Sequence, residues 1–280
     1  MIIEGNARPE SYSPQPKGVV CIASGELSRY PAFCDSMINL KMPPGSTVKW
    51  NVGLNVAANF NMGIREGLKE GAEWVWIMGD DHEFEPDALL RLLEREVDIL
   101  VPLVVRRQPP FITVLFKKPE ADTEHGLFPP IYWRELPEHG LVGPEHGLYT
   151  CGSAGMLIRK RVLDAMDDPW FEAGQHGKEY TFEDTYFCVK AQKAGFSIYA
   201  DTDVQIDHWT PMSLRPIRHE GAWHVAVNIA DSVQAVLPKR ALTGLTHLPQ
   251  CRERTKVQLE KLDQELAQEA EATPSVVSVP

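Results

Sequence analysis

Hydrophobic and polar positions form blocks along the chain up to about residue 212. Short apolar runs end abruptly at Gly, Ser, Asp or Arg residues. The runs that predict strands are residues 19–23, 74–78, 98–105, 111–116, 196–200 and 204–206. A run that is apolar at every position suits a strand buried on both faces, so the pattern predicts a sheet with both faces covered.

Segments with the apolar spacing of helices lie between these runs. They cover residues 55–69, 86–97, 159–166 and 183–194. Pro86 is expected at the start of the second helix, and Gly195 ends the last one. Strands that alternate with helices predict an α/β fold with a mainly parallel sheet and a ligand site at the carboxyl ends of its strands.

The regions outside this alternation have other patterns. Residues 1–17 are polar and rich in proline, which predicts a flexible N-terminal arm. Residues 117–149 are rich in Pro, Gly, His and Glu, which predicts a long and functional excursion of loops and short strands over one end of the sheet.

The pattern changes again after Pro216. Residues 223–236 and 252–270 predict two helices, the second with a narrow stripe of leucines that could pair two copies of the chain. Together they predict a C-terminal helical extension over residues 213–272, followed by a disordered tail over residues 273–280.

Composition narrows the function classes. The chain has 280 residues, of which 43% are hydrophobic and 24% charged, as in soluble globular proteins. A net charge of −11 argues against a nucleic-acid partner and favours a metal ion as mediator for any phosphorylated ligand. We see no membrane span and no secretory signal. Five cysteines without a Cys-x-x-Cys pair predict reduced thiols in a cytoplasmic protein.

The sharpest chemical feature is the triplet Asp80, Asp81 and His82, which directly follows the apolar run at 74–78. Two carboxylates and an imidazole crowded at a strand end repel one another unless a cation binds. Carboxylates suit Mg²⁺ or Mn²⁺, and the imidazole shifts the preference toward Mn²⁺. The alternative is an acidic turn that caps the next helix.

Glu183 and Asp184 open a predicted helix, and His208 follows the last predicted strand. The acids are candidates for a general base, which the helix dipole would keep ionised; the alternative is simple stabilisation of a helix start. His208 is a candidate metal ligand, although a lone histidine is more often structural.

Two further features are weaker. Gly152 and Ser153 belong to a small-residue stretch, residues 152–155, which could let a ligand approach the backbone or could be an ordinary turn. Arg106 and Arg107 end a strand and could assist a phosphate or an acidic acceptor; the alternative is a solvated surface pair.

In their order along the chain, these features resemble glycosyltransferase family 2, the nucleotide-sugar-dependent transferases with a GT-A fold. The resemblance covers about residues 18–212 and is most specific over residues 74–87 and 182–195. It implies a GT-A domain, with a Rossmann-like, mainly parallel sheet flanked by helices, over residues 18–212.

The resemblance also implies roles for matching residues. Ala23, Ser24 and Glu26 would border the nucleobase and ribose, with Asn61 near the same pocket. The small residues Gly152 and Ser153 would lie against the donor.

The metal and catalytic roles are implied in the same way. Asp81 matches the last Asp of the family's Asp-x-Asp motif, and His208 matches a late histidine that completes the metal site. Asp184 matches the usual base, with Glu183 beside it. Asp80 would contact the donor or the metal.

The chain departs from the family at two positions. Gly79 stands where the motif has its first Asp, so either Asp80 takes over that role or the motif is Asp80-x-His82. Phe60 precedes Asn61 where the family often has Arg.

The expected activity is that of a hexosyltransferase-type enzyme. It would use Mn²⁺ or Mg²⁺ to move a sugar from a nucleoside diphosphate sugar to a hydroxyl of a protein or glycan. The alternatives are a catalytically weak carbohydrate- or nucleotide-sugar-binding protein and a nucleotidyltransferase. The second is disfavoured because residues 24–27 are no basic, glycine-rich phosphate loop.

Overall fold

The computed structural model describes residues 13–25, 30–107, 111–119, 128–176, 179–219, 222–229 and 232–237. The chain separates into two compact units, Met1–Pro211 and Met212–Pro280. Within the described ranges, no helix is both long enough and apolar enough to cross a membrane.

The first unit contains most of the regular structure. Its strands are β1 (Val19–Ser24), β2 (Thr47–Val52), β3 (Trp74–Gly79), β4 (His82–Phe84), β5 (Ile99–Val104), β6 (Leu115–Lys117), β7 (Leu141–Val142), β8 (Leu148–Cys151), β9 (Met156–Arg159), β10 (Gly174–His176), β11 (Glu179–Thr181) and β12 (Ile198–His208). Its helices are α1 (Pro31–Asn39), α2 (Val56–Lys69), α3 (Ala88–Glu94), α4 (Lys160–Asp164) and α5 (Glu183–Lys193). Two 3₁₀ turns, Trp133–Glu135 and Pro144–His146, lie between β6 and β8.

The central sheet has the order β2-β1-β3-β9-β5-β12-β4, and β7 also pairs with β12. Strands β2, β1, β3, β5 and β12 run in one direction, whereas β9, β4 and β7 run against them. The sheet is therefore mostly parallel, as the sequence predicts, and the architecture is that of a Rossmann-like α/β fold. The carboxyl ends of β3 and β5 lie at the same edge of this sheet.

Both faces of the sheet are buried. Successive residues of a strand point to opposite sides, so each strand contributes to two apolar clusters. In β3, Val75 and Ile77 belong to one apolar cluster, with Phe60 and Ile64 of α2. Trp74, Trp76 and Met78 belong to the other cluster, with residues of α1 and α3. This two-sided burial explains the uninterrupted apolar run and gives the turn after β3 a rigid support.

The predicted helices form where expected, with shifted ends. Helix α2 begins after Asn55, whose side chain accepts a hydrogen bond from the Ala58 N–H at 2.8 Å. Helix α3 begins at Ala88 rather than at Pro86. The region around residues 30–52 holds α1 and β2, which the apolar pattern alone does not reveal.

The end of the predicted N-terminal arm is bonded to the first unit. The last residues of the N-terminal arm are held in place: Ser13 bonds the Glu94 carboxylate, and the Pro16 carbonyl accepts a hydrogen bond from the Trp74 indole at 2.8 Å. The remainder of the arm, residues 1–12, lies outside the described residues. The segment at Pro16 is held because the buried indole of Trp74 needs a hydrogen-bond acceptor.

The second unit corrects the predicted helix at residues 223–236. It is an antiparallel sheet of β13 (Met212–His219), β14 (Ala222–Ile229) and β15 (Ser232–Leu237). Val225, Val227 and Ile229 recur at every second position, and β-branched residues at this period favour strands. The predicted helix at residues 252–270 and the tail at 273–280 lie outside the described residues.

Candidate metal centre

The turn after β3 and the end of β12 bring two histidines together. Strand β4 starts with His82 and pairs antiparallel with β12, so that His82 lies opposite His208. The two imidazole rings stack with their centroids 4.5 Å apart. Residues distant in sequence are thus joined by strand register rather than by a mobile loop.

The Asp81 carboxylate contacts one nitrogen of each imidazole. Its Oδ1 is 3.1 Å from His82 Nδ1, and its Oδ2 is 3.3 Å from His208 Nε2. The Trp209 N–H donates to the Asp81 carbonyl at 2.8 Å, which fixes the turn against the end of β12. One ligand atom from each of Asp81, His82 and His208 lies within 4.8 Å of the others, which is close enough to hold one metal ion.

The tautomer of His208 is determined by the contact of its other ring nitrogen, Nδ1. Its Nδ1 lies 3.0 Å from the Val105 carbonyl oxygen, which can only accept, so Nδ1 carries the proton. In the neutral ring, Nε2 then presents a lone pair to Asp81 Oδ2. Two facing acceptors repel unless a cation or an added proton lies between them. A backbone carbonyl behind a histidine is the usual support of a metal-ligating imidazole.

The distance between these two atoms also fits a metal. Adjacent ligands of an octahedral cation with bonds of about 2.1 Å are about 3 Å apart. The 3.3 Å between Asp81 Oδ2 and His208 Nε2 is close to that value. The donor set and its geometry therefore suit a divalent cation.

His82 is 4% exposed and has a different arrangement. Its Nδ1 faces two acceptors, Asp81 Oδ1 and, at 3.4 Å, the Gly79 carbonyl, so Nδ1 carries the proton here as well. Its Nε2 is buried without a hydrogen-bond partner among the described residues. His82 can thus orient the Asp81 carboxylate and still offer a buried lone pair.

The charge of Asp81 is protected. Burial acts to raise the pKa of its carboxyl, but the hydrogen bond from His208, when that ring carries a second proton, and the hydrogen bond from His82, with the charges of the protonated rings, outweigh it and hold the pKa well below the usual range. Arg107 adds an ion pair, with Nη1 at 2.7 Å from Asp81 Oδ2. Asp81 is therefore ionised at neutral pH, as a ligand must be.

Gly79 has a structural reason at the position where the family motif has Asp. A Cβ atom at this residue would lie 2.8 Å from Asp81 Oδ1, closer than two such atoms can approach. Asp80 is not in the group of three converging ligands found among the described residues. His82 therefore lies in the group with Asp81, whereas Asp80, which both interpretations of the motif use, lies outside it.

Asp184 and Glu183 occupy the first turn of α5, as expected. The Asp184 carboxylate accepts hydrogen bonds from the Thr185 N–H at 2.6 Å and the Thr185 hydroxyl at 3.3 Å. Burial, followed by the negative charge of Glu183, raises the pKa of Asp184 to about 7. The pKa of Asp184 is therefore raised rather than lowered at this helix start, because burial is the largest effect.

Asp184 lies near the small-residue stretch. Cys151, which precedes Gly152, has a thiol whose pKa is raised by its contact with Cys188, by burial and also by the charge of Asp184. The Gly152 N–H donates to the Val114 carbonyl at 2.8 Å, and the Ser153 carbonyl accepts from the Met156 N–H. Backbone pairing therefore accounts for part of this stretch.

The expected nucleobase residues have different outcomes. Ala23 and Ser24 end β1 in buried positions, and the Ser24 hydroxyl accepts a hydrogen bond from the Trp50 indole at 2.6 Å. Glu26 lies outside the described residues. Asn61 is buried, and its amide is bonded inside the protein.

The Asn61 amide makes three hydrogen bonds inside the protein. Its Nδ2 donates to the Phe171 carbonyl at 2.7 Å. Its Oδ1 accepts from the N–H groups of Trp170 and Phe171, at 3.1 and 3.0 Å. These bonds tie α2 to the segment that precedes β10.

Sequence reasoning missed one buried polar group near Ser24. Asn59 is buried and donates from Nδ2 to the carbonyls of Ser24 and Leu54 at 3.4 and 3.2 Å, while its Oδ1 has no partner among the described residues. The signal was a second polar residue on the buried face of an amphipathic helix.

Comparisons with known proteins give fold-level likenesses only. No protein-family model and no curated protein matches the chain. Among solved structures, A197 from STIV is similar at 13% identity over 72% of this chain and 99% of its own, with a TM-score of 0.49. GalNAc-T7 with UDP, GalNAc and Mn²⁺ is similar at 10% identity over 76% of this chain and 45% of its own, with a TM-score of 0.45. The inositol-1-phosphate CTP transferase from T. maritima is similar at 11% identity over 69% and 70%, with a TM-score of 0.34. Likenesses at this level carry no argument about function.

Proposed function

We propose that this chain is a metal-dependent glycosyltransferase of the GT-A type, which moves a sugar from a nucleoside diphosphate sugar to a hydroxyl of a protein or glycan in the cytoplasm. The observation that carries the proposal is the convergence of Asp81 Oδ2 and His208 Nε2 at 3.3 Å, with the tautomer of His208 fixed by the Val105 carbonyl. The order of motifs that resembles glycosyltransferase family 2 supports the choice of reaction.

Asp81 and His208 would hold the cation, with His82 as orienting residue or third ligand. One carboxylate and two imidazoles favour Mn²⁺ over Mg²⁺, which prefers oxygen ligands. A bound divalent cation would supply neutralisation of the negative charge that develops on the leaving diphosphate. The end of β1, with Ala23, Ser24 and Glu26, would border the nucleoside.

Asp184 would be the general base. An acceptor hydroxyl has a high pKa, so its proton must leave as the hydroxyl attacks, and a positioned carboxylate contributes about 10²- to 10⁴-fold to such a step. A carboxyl with a pKa of about 7 is half ionised at neutral pH and is a better proton acceptor than an ordinary aspartate. Glu183 would raise that pKa, and Gly152 and Ser153 would lie on the donor side of Asp184.

The proposal is tested by a screen of nucleotide sugars. Purified protein is incubated with UDP-, GDP-, ADP- and dTDP-sugars, with Mn²⁺ or with EDTA, and released nucleoside diphosphate and free sugar are measured. We expect turnover of at least one donor with Mn²⁺ and none with EDTA. Asp81→Asn should abolish this turnover. Asp35→Asn, at an exposed position of α1, should not.

The products separate the alternatives. With added pyrophosphate, formation of nucleoside triphosphate and sugar 1-phosphate would identify a nucleotidyltransferase instead. Stabilisation by a nucleotide sugar without any turnover, with and without glycan or protein acceptors, would identify a binding protein and contradict the proposed reaction.

A further inference from the structure

Arg107 contacts the candidate metal centre directly. Its Nη1 lies 2.7 Å from Asp81 Oδ2, the same oxygen that faces His208 Nε2 at 3.3 Å. The Arg107 side chain is 50% exposed, whereas that of Asp81 is 18% exposed. A solvated arginine therefore caps a largely enclosed carboxylate.

We propose that Arg107 is an exchangeable counter-ion and a donor-binding residue. It neutralises Asp81 while no metal is bound, and it passes to the diphosphate of the donor when a divalent cation takes Asp81 Oδ2. This inference rests on the proposed function, because it assigns the anionic part of the donor to a named side chain.

A cation bound at Asp81 Oδ2 would compete with Arg107 for the same oxygen. Its other oxygen, Oδ1, is already 3.1 Å from His82 Nδ1. That oxygen also lies 2.8 Å from the point where a Cβ of Gly79 would be, so it packs close to the Gly79 backbone. Arg107 therefore has no second oxygen of Asp81 to move to, and two cations in contact with Oδ2 would repel each other strongly.

Arg107 is able to leave. It follows β5 at the carboxyl edge of the sheet, and half of its side chain is in solvent, so breaking the pair costs little compared with a buried ion pair. Its planar guanidinium presents paired donors that match phosphate oxygens. A diphosphate bound at the same centre would place such oxygens next to the released side chain.

Arg106 offers a matched control. It is the adjacent residue, has the same charge and is also exposed. Its backbone N–H donates to the Ile112 carbonyl at 2.8 Å, so its main chain is held while its side chain can be changed. A general effect of charge on binding would affect both arginines equally.

The test compares wild type, Arg107→Gln and Arg106→Gln in two titrations. The first uses Mn²⁺ alone, followed by the electron paramagnetic resonance signal of free Mn²⁺. The second adds UDP or GDP at saturating Mn²⁺, followed by calorimetry. Thermal unfolding is measured for all three proteins to verify folding.

We expect Arg107→Gln to bind Mn²⁺ roughly three- to ten-fold more tightly than wild type, because a competing cation is gone. It should bind the nucleoside diphosphate at least roughly five-fold more weakly, because a phosphate donor is gone. Arg106→Gln should leave both affinities unchanged. Opposite changes for metal and nucleotide are not produced by a merely structural residue.

Other outcomes overturn the inference. If wild type binds Mn²⁺ but Arg107→Gln binds it no more tightly, Arg107 does not compete for Asp81, and the proposed function still stands. Unchanged nucleotide affinity in Arg107→Gln would overturn the second half. If wild type binds no Mn²⁺ at all, both the inference and the proposed function are wrong.

Discussion

At the residue scale, Asp81 and His208 show what a sequence can and cannot predict. The order of motifs along the chain predicted that these two residues share a metal site, and they lie 3.3 Å apart although 127 positions separate them. The orientation of the His208 ring was not predictable, because it depends on the Val105 carbonyl of a neighbouring chain segment. The contact of Arg107 was equally hidden, since a pair of arginines at a strand end does not reveal which one turns inward.

Asn61 shows the opposite case. Its position in an early helix predicted a place near the nucleotide, yet its amide satisfies the backbone of Trp170 and Phe171. The nearest of these partners is 109 positions away. A sequence pattern shows that a residue is polar and helical, but not which distant backbone group it will face.

Asp184 leads to a prediction about pH. If it is the base, its carboxylate must be ionised, so transfer at saturating donor and Mn²⁺ should rise with pH around a midpoint of about 7. Asp184→Asn should lose this rise and about 10²- to 10⁴-fold of the rate while it still binds Mn²⁺. The measurement is a pH–rate profile of both proteins.

The Glu183→Gln variant tests the direction in which Glu183 shifts the pKa of Asp184. The negative charge of Glu183 raises the pKa of Asp184, so its removal should shift the midpoint to lower pH without abolishing transfer. A raised aspartate pKa also means that the folded protein binds the proton more tightly than the unfolded chain. Stability relative to Asp184→Asn should therefore fall as pH rises from about 4 to about 7. A profile that is flat between pH 5 and 8 in wild type would place the base elsewhere.

At the scale of elements, long apolar runs and amphipathic helices were predictable and short strands were not. The runs at 74–78 and 98–105 correspond to β3 and β5, and the segment at 55–69 corresponds to α2. Strand β4 has only three residues, too few to show a period, yet its register with β12 creates the stacked histidine pair. The insertion of antiparallel β9 between β3 and β5 is likewise a matter of tertiary pairing.

The second unit was misread for a physical reason. Residues 223–236 contain apolar residues at spacings that fit both a helix and a strand, and the β-branched valines favour the strand that is observed. Short apolar segments are ambiguous in this way until their partners are known.

The turn after β3 leads to a second prediction. In Gly79→Ala, the added Cβ would meet Asp81 Oδ1 at 2.8 Å, so the carboxylate must move away from His82 and His208. We expect about ten-fold weaker Mn²⁺ binding, as is usual when the support of a ligand is disturbed, with little change in thermal unfolding. Replacing Gly79 with Asp to restore the family motif should weaken binding at least as much.

Gly25→Ala is the control for this change. Among the described residues, a Cβ at Gly25 would meet nothing within 4 Å, and the residue follows β1 at another strand end. Mn²⁺ titrations of the three proteins decide the question. Equal Mn²⁺ affinity of Gly79→Ala and Gly25→Ala would show that the missing side chain at residue 79 does not determine the position of the Asp81 carboxylate.

At the scale of the whole molecule, charge and topology support the same account. The chain carries a net charge of −11, so an anionic donor requires a local concentration of positive charge. Arg107 supplies one such charge, and Asp81 with His208 provides a place for another. The candidate ligands Asp81 and His208 lie just after β3 and at the end of β12, so they meet only when both strands are in the sheet.

The most direct test of the account is a crystal of the full chain grown with Mn²⁺ and a nucleoside diphosphate, measured for anomalous scattering of manganese. We predict an anomalous peak about 2.0–2.3 Å from Asp81 Oδ2 and from His208 Nε2, with the diphosphate bound at the same centre. In that crystal Arg107 should have left Asp81. A peak elsewhere, or a nucleotide bound with no manganese between Asp81 and His208, would contradict the account.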